Sequence, residues 1–261
     1  MKIRLDQFLV DEGLFESRAR AKAAVMEGLV SVDGSAEVKP GTQVCGEEDI
    51  VVSDSDTAYV SRGGKKLAHA LETFDMDVGG KVIVDIGSST GGFTDCLLRN
   101  GASRVAAIDV GKGQLHWKLR RDPRVTVLEG YNARNLKVEE LPFIPDLAVI
   151  DVSFISLTRI LEPVFRALAG HGEVLALVKP QFEAGRELVE KGGVVRDPLV
   201  HLQVLNTMAG WLTERGLVLK AITSSPIKGP KGNIEFFVQV GRNGDPVSRD
   251  ALEQEVMKAH V

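Results

Sequence analysis

The stretch "VIVDIGSSTGGFTDCLL", Val82–Leu98, decides how the rest of the chain is read. It begins as an unbroken apolar run, breaks in a glycine-rich segment over residues 87–92, and resumes with apolar residues at helical spacing. A strand, a tight turn and a helix in that order open a βαβ unit. Outward from it, further apolar runs at Lys81–Ile86, Arg104–Asp109, Arg124–Leu128, Asp146–Asp151 and Glu173–Val178 alternate with helical segments. These segments include Gly92–Asn100, Gly113–Arg121 and Leu157–Ala169. Runs without polar alternation belong to strands buried on both faces, which predicts a doubly wound, mostly parallel α/β sheet. "NIEFFVQVG", Asn233–Gly241, reads as a further strand at or near an edge.

In such a sheet, ligands sit outside the carboxyl ends of the strands at the topological switch point, where this glycine turn lies. A purely structural strand-to-helix turn accounts for a glycine cluster equally well. The dinucleotide fingerprint is not matched, because it needs glycine at the third position and Ser89 stands there, which leaves a nicotinamide dinucleotide as the minor alternative. What remains is Asp85-x-Gly87 followed by paired Gly91 and Gly92, with Asp109 closing the next strand, where a carboxylate can accept both ribose hydroxyls of a nucleoside. This arrangement resembles the S-adenosylmethionine site of class I methyltransferases, whose Rossmann-like sheet is the expected fold. The resemblance names S-adenosyl-L-methionine as cofactor and Asp85, Gly87, Ser88, Thr90, Gly91, Gly92, Phe93, Thr94, Asp109, Gly111, Gly113, Gln114 and Asn132 as its candidate contacts. Many related enzymes place an aspartate near the position of Asn132, the expected adenine contact.

Composition bounds the rest. At 261 residues and 44% hydrophobic, the chain can bury a substantial core in one or two domains. No apolar run is long enough to span a bilayer, and the start "MKIRLDQFLVDEG" lacks a signal-peptide pattern, so no membrane association is expected. Cys45 and Cys96 have no CxxC spacing and suggest a reducing, cytoplasmic setting. The five histidines are scattered, and no metal is expected. A net charge of −4 argues, taken alone, against a nucleic-acid partner.

The first residues oppose that argument. Leu5, Phe8 and Leu9 fall at helical spacing before Gly13, Ser17 is placed to cap a second, alanine-rich helix, and Gly28 closes it. "LVSVDGSAEV" reads as a hairpin turning at Asp33–Gly34, "KPG" as a turn and "EDIVVSD" as another strand. The acidic, serine-containing Ser53–Thr57 reads as linker. "RLDQFLVDEGLFESRARAKAAVMEGLVSVDG…VKPG" resembles a small α+β S-four-type RNA-binding domain. Acidic residues slightly outnumber basic ones here, so the pattern, rather than charge, carries that reading. Arg4, Arg18, Arg20 and Lys22 are its RNA-contact candidates, joined further on by Arg62, Arg196, Lys228 and Lys231. A solvated loop explains the last two equally well. The expected layout is an RNA-binding domain at 1–57, a linker at 58–62, a methyltransferase domain at 63–241 and a tail at 242–261, a short polar helix without assigned role.

Four ionisable residues stand where catalysis would need them. Asp151 and Lys179 directly follow apolar strands, Glu235 begins the last strand, and Lys66 begins the helix before the first. At ~100° per residue, the stripe Leu67, Ala70, Leu71, Phe74 leaves Lys66 at its margin and Lys65 facing solvent. The set resembles the Lys-Asp-Lys-Glu tetrad of FtsJ-like ribose 2′-O-methyltransferases. With "GSSTGGFTDCLL", "DVGKGQL", "DVSFISL", "LVKPQFE", "GGVVRDP" and "SPIKGPKGNIEFF", the chain from residue 2 to about 241 resembles the TlyA (hemolysin A) family. The resemblance implies methyl transfer to a cytidine 2′-hydroxyl in ribosomal RNA, with Lys179 as base if burial and the nearby Lys66 cation lower its pKa. Ribosomal RNA or a ribosomal subunit is the implied partner. The segment Glu183–Pro198 reads as a mobile lid. One rival reading is a non-catalytic RNA-binding protein with a decayed methyltransferase fold, against which stand the intact tetrad, Asp85 and Asp109. The other is a lytic protein, for which no strongly amphipathic basic helix is found.

Overall fold

Apolar strands that cannot expose either face must lie inside a sheet with helices on both sides. The computed structural model builds that arrangement; it describes residues 2–15, 17–26, 28–35, 38–46, 48–52, 59–229 and 231–261. The chain forms two compact units, residues 1–58 and 59–261. The expected linker, residues 53–57, lies outside the described residues, as does residue 58 of the expected 58–62 segment.

In the first unit, β1 (Ile3–Arg4), α1 (Leu5–Asp11), α2 (Arg18–Met26), β2 (Val30–Val32), β3 (Gln43–Val44) and β4 (Ile50–Val52) surround a small core of Leu5, Leu9, Ala21, Val25, Val30 and Val44. Ser17 Oγ accepts the Arg20 N–H at 3.4 Å, as a capping residue does. The chain turns at Asp33–Gly34, both with positive φ (50° and 78°), and a bridge joins Val32 to Ser35; residues 36 and 37 of the expected return strand lie outside the described residues. The strand partner of β2 is β4, antiparallel. Asp33 extends that pairing, since its Oδ1 accepts the Asp49 N–H at 2.9 Å and its own N–H donates to the Asp49 carbonyl at 2.8 Å. β4 offers Ile50 and Val52 to the core.

The second unit runs α3 (Gly63–Thr73), β5 (Val82–Ile86), α4 (Gly92–Arg99), β6 (Arg104–Asp109), α5 (Trp117–Arg120), β7 (Val125–Glu129), β8 (Leu147–Ile150), α6 (Thr158–Ala167), β9 (Glu173–Val178), α7 (Pro180–Glu183), α8 (Pro198–Thr213), β10 (Val218–Ser224), β11 (Phe236–Gly241), α9 (Arg249–Ala259). Its sheet has the order β10-β11-β9-β8-β5-β6-β7. Strands β5 to β9 pair in parallel, and β11 and β10 add antiparallel. Leu67, Ala70, Phe93 and Leu97 from α3 and α4 cover one face, and Leu161, Val164, Leu205, Met208 and Leu252 from α6, α8 and α9 cover the other.

β11 is near the edge, one strand in from it, between β9 and β10, with Phe236, Phe237 and Val238 buried. The edge is β10, "VLKAITS", whose half-exposed residues and register shift between Leu219 and Ala221 mark a strand with one open side. The helix expected over Gly113–Arg121 shrinks to α5, because Gly113 sits at φ +72° and His116 Nδ1 caps from outside, accepting the Lys118 N–H at 3.3 Å. The segment after Gly241 ends in α9, which is held by Leu252 and Val256 and by Glu255, whose Oε1 accepts the Ser224 N–H and hydroxyl at 2.6 and 2.8 Å.

Across α8 and α9, His201 Nδ1 and His260 Nε2 are 2.9 Å apart, while His201 Nε2 stands 3.2 Å from the Val195 carbonyl. The carbonyl can only accept, so His201 carries its proton on Nε2 and takes a hydrogen from His260. Burial, then the neighbouring His260, pushes the His201 imidazole down to about 4. A lowered folded value means that this stability is complete above pH 6.5 and lost as pH falls through the window down to about 4. The loss is on the order of 3 kcal/mol. Thermal melts from pH 7.5 to 4 are expected to show it, and a His201→Asn variant is expected to flatten that slope.

Candidate active site

The glycine turn after β5 is bare chiefly for the sake of its own chain. A Cβ on Gly87 (φ +83°) would stand 2.3 Å from the Asp151 carbonyl oxygen. One on Gly91 (φ +97°) would meet Leu119 Cδ1 at 2.2 Å, and one on Gly92 would meet Ser61 Oγ at 2.2 Å and the Gly64 nitrogen at 2.9 Å. The turn therefore wedges between the ends of β8, α5 and α3. Asp109 fixes its far side: Oδ2 accepts the Ser89 N–H at 2.9 Å and Oδ1 the Gly111 N–H at 2.7 Å. Each carboxylate oxygen keeps a second lone pair for a ligand hydroxyl.

Beneath the turn, Asp85 is fully buried. Thr94 Oγ1 donates to its Oδ2 at 2.6 Å, and its Oδ1 has no hydrogen-bond partner among the described residues. Burial pushes this carboxyl up to about 7, against the Thr94 hydrogen bond, with the charges of Asp151 and Asp109 adding to the rise. The charges of Asp109 and Asp151, at the carboxyl ends of β6 and β8, thus reach Asp85 in β5.

The sheet register gathers the ionisable residues at that same end. Phe236 pairs with Val178, so one step further sets Glu235 beside Lys179. Asp151 follows β8, its N–H donating to the Ile86 carbonyl at 2.9 Å. Lys66 Nζ reaches Glu235 Oε2 at 2.6 Å in a buried ion pair, while Lys65 is exposed. Lys179 Nζ lies 2.5 Å from Asp151 Oδ1, a charge contact without hydrogen-bond alignment, and donates to Ser153 Oγ at 2.9 Å. The four residues stand as two lysine–carboxylate pairs on adjoining elements.

A cavity of about 1350 Å³ opens beside them. Gly87, Asp109, Gln114, Asn132, Ser153, Phe154 and Phe182 are among the residues that line it; of the four ionisable residues, only Asp151 does. Asp85, Ser88, Phe93 and Thr94 lie buried behind the wall. The Thr90 carbonyl accepts the His116 N–H at 3.1 Å, and Gly113 has open space around it. Asn132 Oδ1 already accepts the Arg134 N–H at 3.1 Å.

Comparison with known proteins agrees with this geometry. Residues 59–242 match the family described as FtsJ-like methyltransferase, and residues 3–51 match the S4 domain. The chain belongs to the FtsJ-like methyltransferase family. Among its relatives, the 16S/23S rRNA (cytidine-2′-O)-methyltransferase TlyA of Mycobacterium tuberculosis is 43% identical, covering 99% of this chain and 97% of that one. Hemolysin A of Brachyspira hyodysenteriae is 42% identical over 90% of this chain and 98% of its own. A solved structure from Streptococcus thermophilus, named for hemolysin, superposes with a TM-score of 0.79 at 43% identity, covering 99% of this chain and 96% of that one. Among the described residues, no helix of this methyltransferase is long and apolar enough to cross a membrane.

The predicted RNA contacts are less concentrated. In the first unit, Arg4 and Arg18 both serve Asp6, which is buried; Arg4 Nη2 stands 2.8 Å and Arg18 Nη2 3.3 Å from its Oδ2. The Arg4 and Arg18 guanidiniums hold the Asp6 carboxyl below its usual range despite burial. Arg20 is half-buried and Lys22 exposed. In the second unit, Arg62 immediately precedes α3, Arg196 is ion-paired with Glu190, and Lys228 and Lys231 are exposed, the latter over Gly193.

The segment Glu183–Pro198 is anchored rather than free as a lid. Glu183 accepts the Ser156 hydroxyl at 2.7 Å and the Leu157 N–H at 2.8 Å. Asn233, buried, accepts the Val195 N–H and donates to the Gly193 carbonyl, both at 2.9 Å. "GGVVRDP" contains no sign of that clamp, because its partner lies 38 residues away. Sequence reasoning also passed over Ser153, Phe154 and Phe182. A polar residue three positions after an apolar strand was the available signal for Ser153. Phe154 gave none: it is 90% exposed, at φ +65°, with its ring 5.0 Å from that of Phe182.

Proposed function

We propose that this enzyme methylates a ribose 2′-hydroxyl of cytidine in ribosomal RNA, using S-adenosylmethionine, in the cytoplasm where ribosomes assemble. The observation that carries the reading is the Lys179–Asp151 pair, with Lys66–Glu235 on the adjoining strand, at a cavity that Asp151 lines together with the Gly87 turn and Asp109. The fit of the cofactor rests on charge. The charges of Asp151 and Asp109 bear on buried Asp85, Lys179 pairs with Asp151 alone, and Asp85 Oδ1 lacks a donor among the described residues. A ligand bearing a sulfonium and an ammonium relieves both. When bound, S-adenosylmethionine supplies an electrophilic methyl carbon.

The chain's own residues do the rest. A ribose hydroxyl is a poor nucleophile, so its proton must leave as its oxygen gains the methyl group. Lys179, in its uncharged form, accepts that proton at Nζ, a contribution of about 10²–10⁴-fold for a placed base. Asp151 holds Lys179 from the cofactor side. Glu235 holds Lys66 and, by register, borders Lys179. The exposed ring of Phe154 offers an unpaired base a surface to stack on, as single-stranded RNA recognition requires. The first unit, resembling the S-four-type RNA-binding module, supplies contacts to the rest of the RNA.

Two measurements test this. Calorimetry is expected to show S-adenosylmethionine binding that weakens about 10–100-fold in Asp109→Ala, the value of hydrogen bonds to a charged group. Ribose-methylation mapping across ribosomal RNA is expected to reveal cytidines modified only in cells that carry the gene; identical maps with and without it would reject the assignment.

A further inference from the structure

We propose that Ser153 is a positioning residue that aims Lys179 at the hydroxyl to be methylated, an inference that rests on the base role just given to Lys179. Nζ has three tetrahedral corners besides Cε. One faces Asp151 Oδ1 at 2.5 Å, but that contact lacks hydrogen-bond alignment. A second donates to Ser153 Oγ at 2.9 Å with proper geometry. Asp151 therefore supplies charge, and Ser153 supplies direction. In the uncharged amine, one N–H bond goes to Ser153 Oγ, which fixes rotation about Cε–Nζ and with it the heading of the lone pair. Without Ser153, the amine turns about its Cε–Nζ bond and the lone pair loses its fixed heading.

The backbone is built to bring Ser153 there. As the chain leaves β8, Phe154 takes φ +65°, in the left-handed region that a bulky side chain rarely adopts. Such conformations persist where neighbouring contacts hold them, and they cluster at functional sites. Here contacts between two loops hold it. Ser153 meets Lys179, the Phe154 ring meets Phe182, and Ser156 and Leu157 bind Glu183. Each joins the exit of β8 to the exit of β9, the two loops that carry Asp151 and Lys179. Ser153 itself is exposed on the cavity wall and supports no core packing.

The test compares Ser153→Ala and Ser153→Thr with the wild-type full chain. Tritiated S-adenosylmethionine and ribosomal RNA from cells lacking the gene serve as substrates. Ser153→Ala is expected to lower kcat about 10–100-fold, the cost of a misaimed reacting group, with both KM values within about twofold. Loss of an acceptor for the ammonium is also expected to move the acid limb of the kcat–pH profile to lower pH, which a merely structural role would not do. Ser153→Thr, keeping the hydroxyl, is expected to restore both. An alanine variant with kcat within about twofold of wild type and an unmoved acid limb would overturn the proposal, as would a threonine variant no better than alanine. Absence of ribose methylation by the wild type would instead reject the functional assignment, and this inference with it.

Discussion

Lys179→Ala is expected to lower methyl transfer to ribosomal RNA by about 10²–10⁴-fold while leaving S-adenosylmethionine affinity within a few-fold. The asymmetry follows from the sheet. Lys179 leaves β9, whereas the Gly87 turn and Asp109 leave β5 and β6, two and three strands away. At about 4.8 Å per strand, that separates the base from the adenosyl end by roughly 10–14 Å. Removing the side chain leaves Asp151 without its cation, but that carboxylate is partly open to water, which can replace it. Lys179→Arg sharpens the test: a guanidinium keeps the charge beside Asp151 yet cannot give up its proton. If the positive charge alone were needed, arginine would rescue turnover; the base role requires that it does not. Single-turnover assays on RNA and calorimetry with cofactor, run on the same preparations, decide between these outcomes. Near-normal turnover in alanine would remove Lys179 from the base role.

Glu235→Gln is expected to cost about 3–5 kcal/mol of stability, a penalty seen when one partner of a buried pair is removed. Glu235 is 1% exposed and the Lys66 side chain 10%, so the orphaned ammonium has neither counter-charge nor free access to water. For a domain of this size, the melting temperature should fall by about 6–20 °C. Lys66→Met combined with Glu235→Gln removes the unpaired charge and is expected to recover much of the loss, with activity absent in both variants. Asp151→Asn should be milder in the same melts, since the Asp151–Lys179 pair is more open, at 22% and 12%. Equal melting temperatures for wild type and Glu235→Gln would mean that the Lys66–Glu235 contact is not the buried pair described.

Local pattern was enough to read much of this. Apolar runs without alternation could only be doubly covered strands, and the residues that follow such strands stand at the carboxyl edge whatever the strand order. That placed Asp85, Asp109, Asp151 and Lys179 at one rim from the chain alone. Helical phase separated buried Lys66 from exposed Lys65 in the same way. These readings work because backbone periodicity is a property of neighbouring residues.

Partners are not. That Lys66 pairs with Glu235, 169 positions away, or that Asn233 clamps Val195, depends on which strands become neighbours. β11 lies one strand in from the edge because β10 packs outside it, and nothing within "NIEFFVQVG" says which strand covers that side. The glycines of the opening stretch show the division most clearly. Their spacing announces a bare turn in one dimension, but the atoms that demand it, the Asp151 carbonyl, the Leu119 methyl and the Ser61 hydroxyl, arrive from three other elements. Periodicity determines which face a residue presents; only the closed fold determines what meets it there.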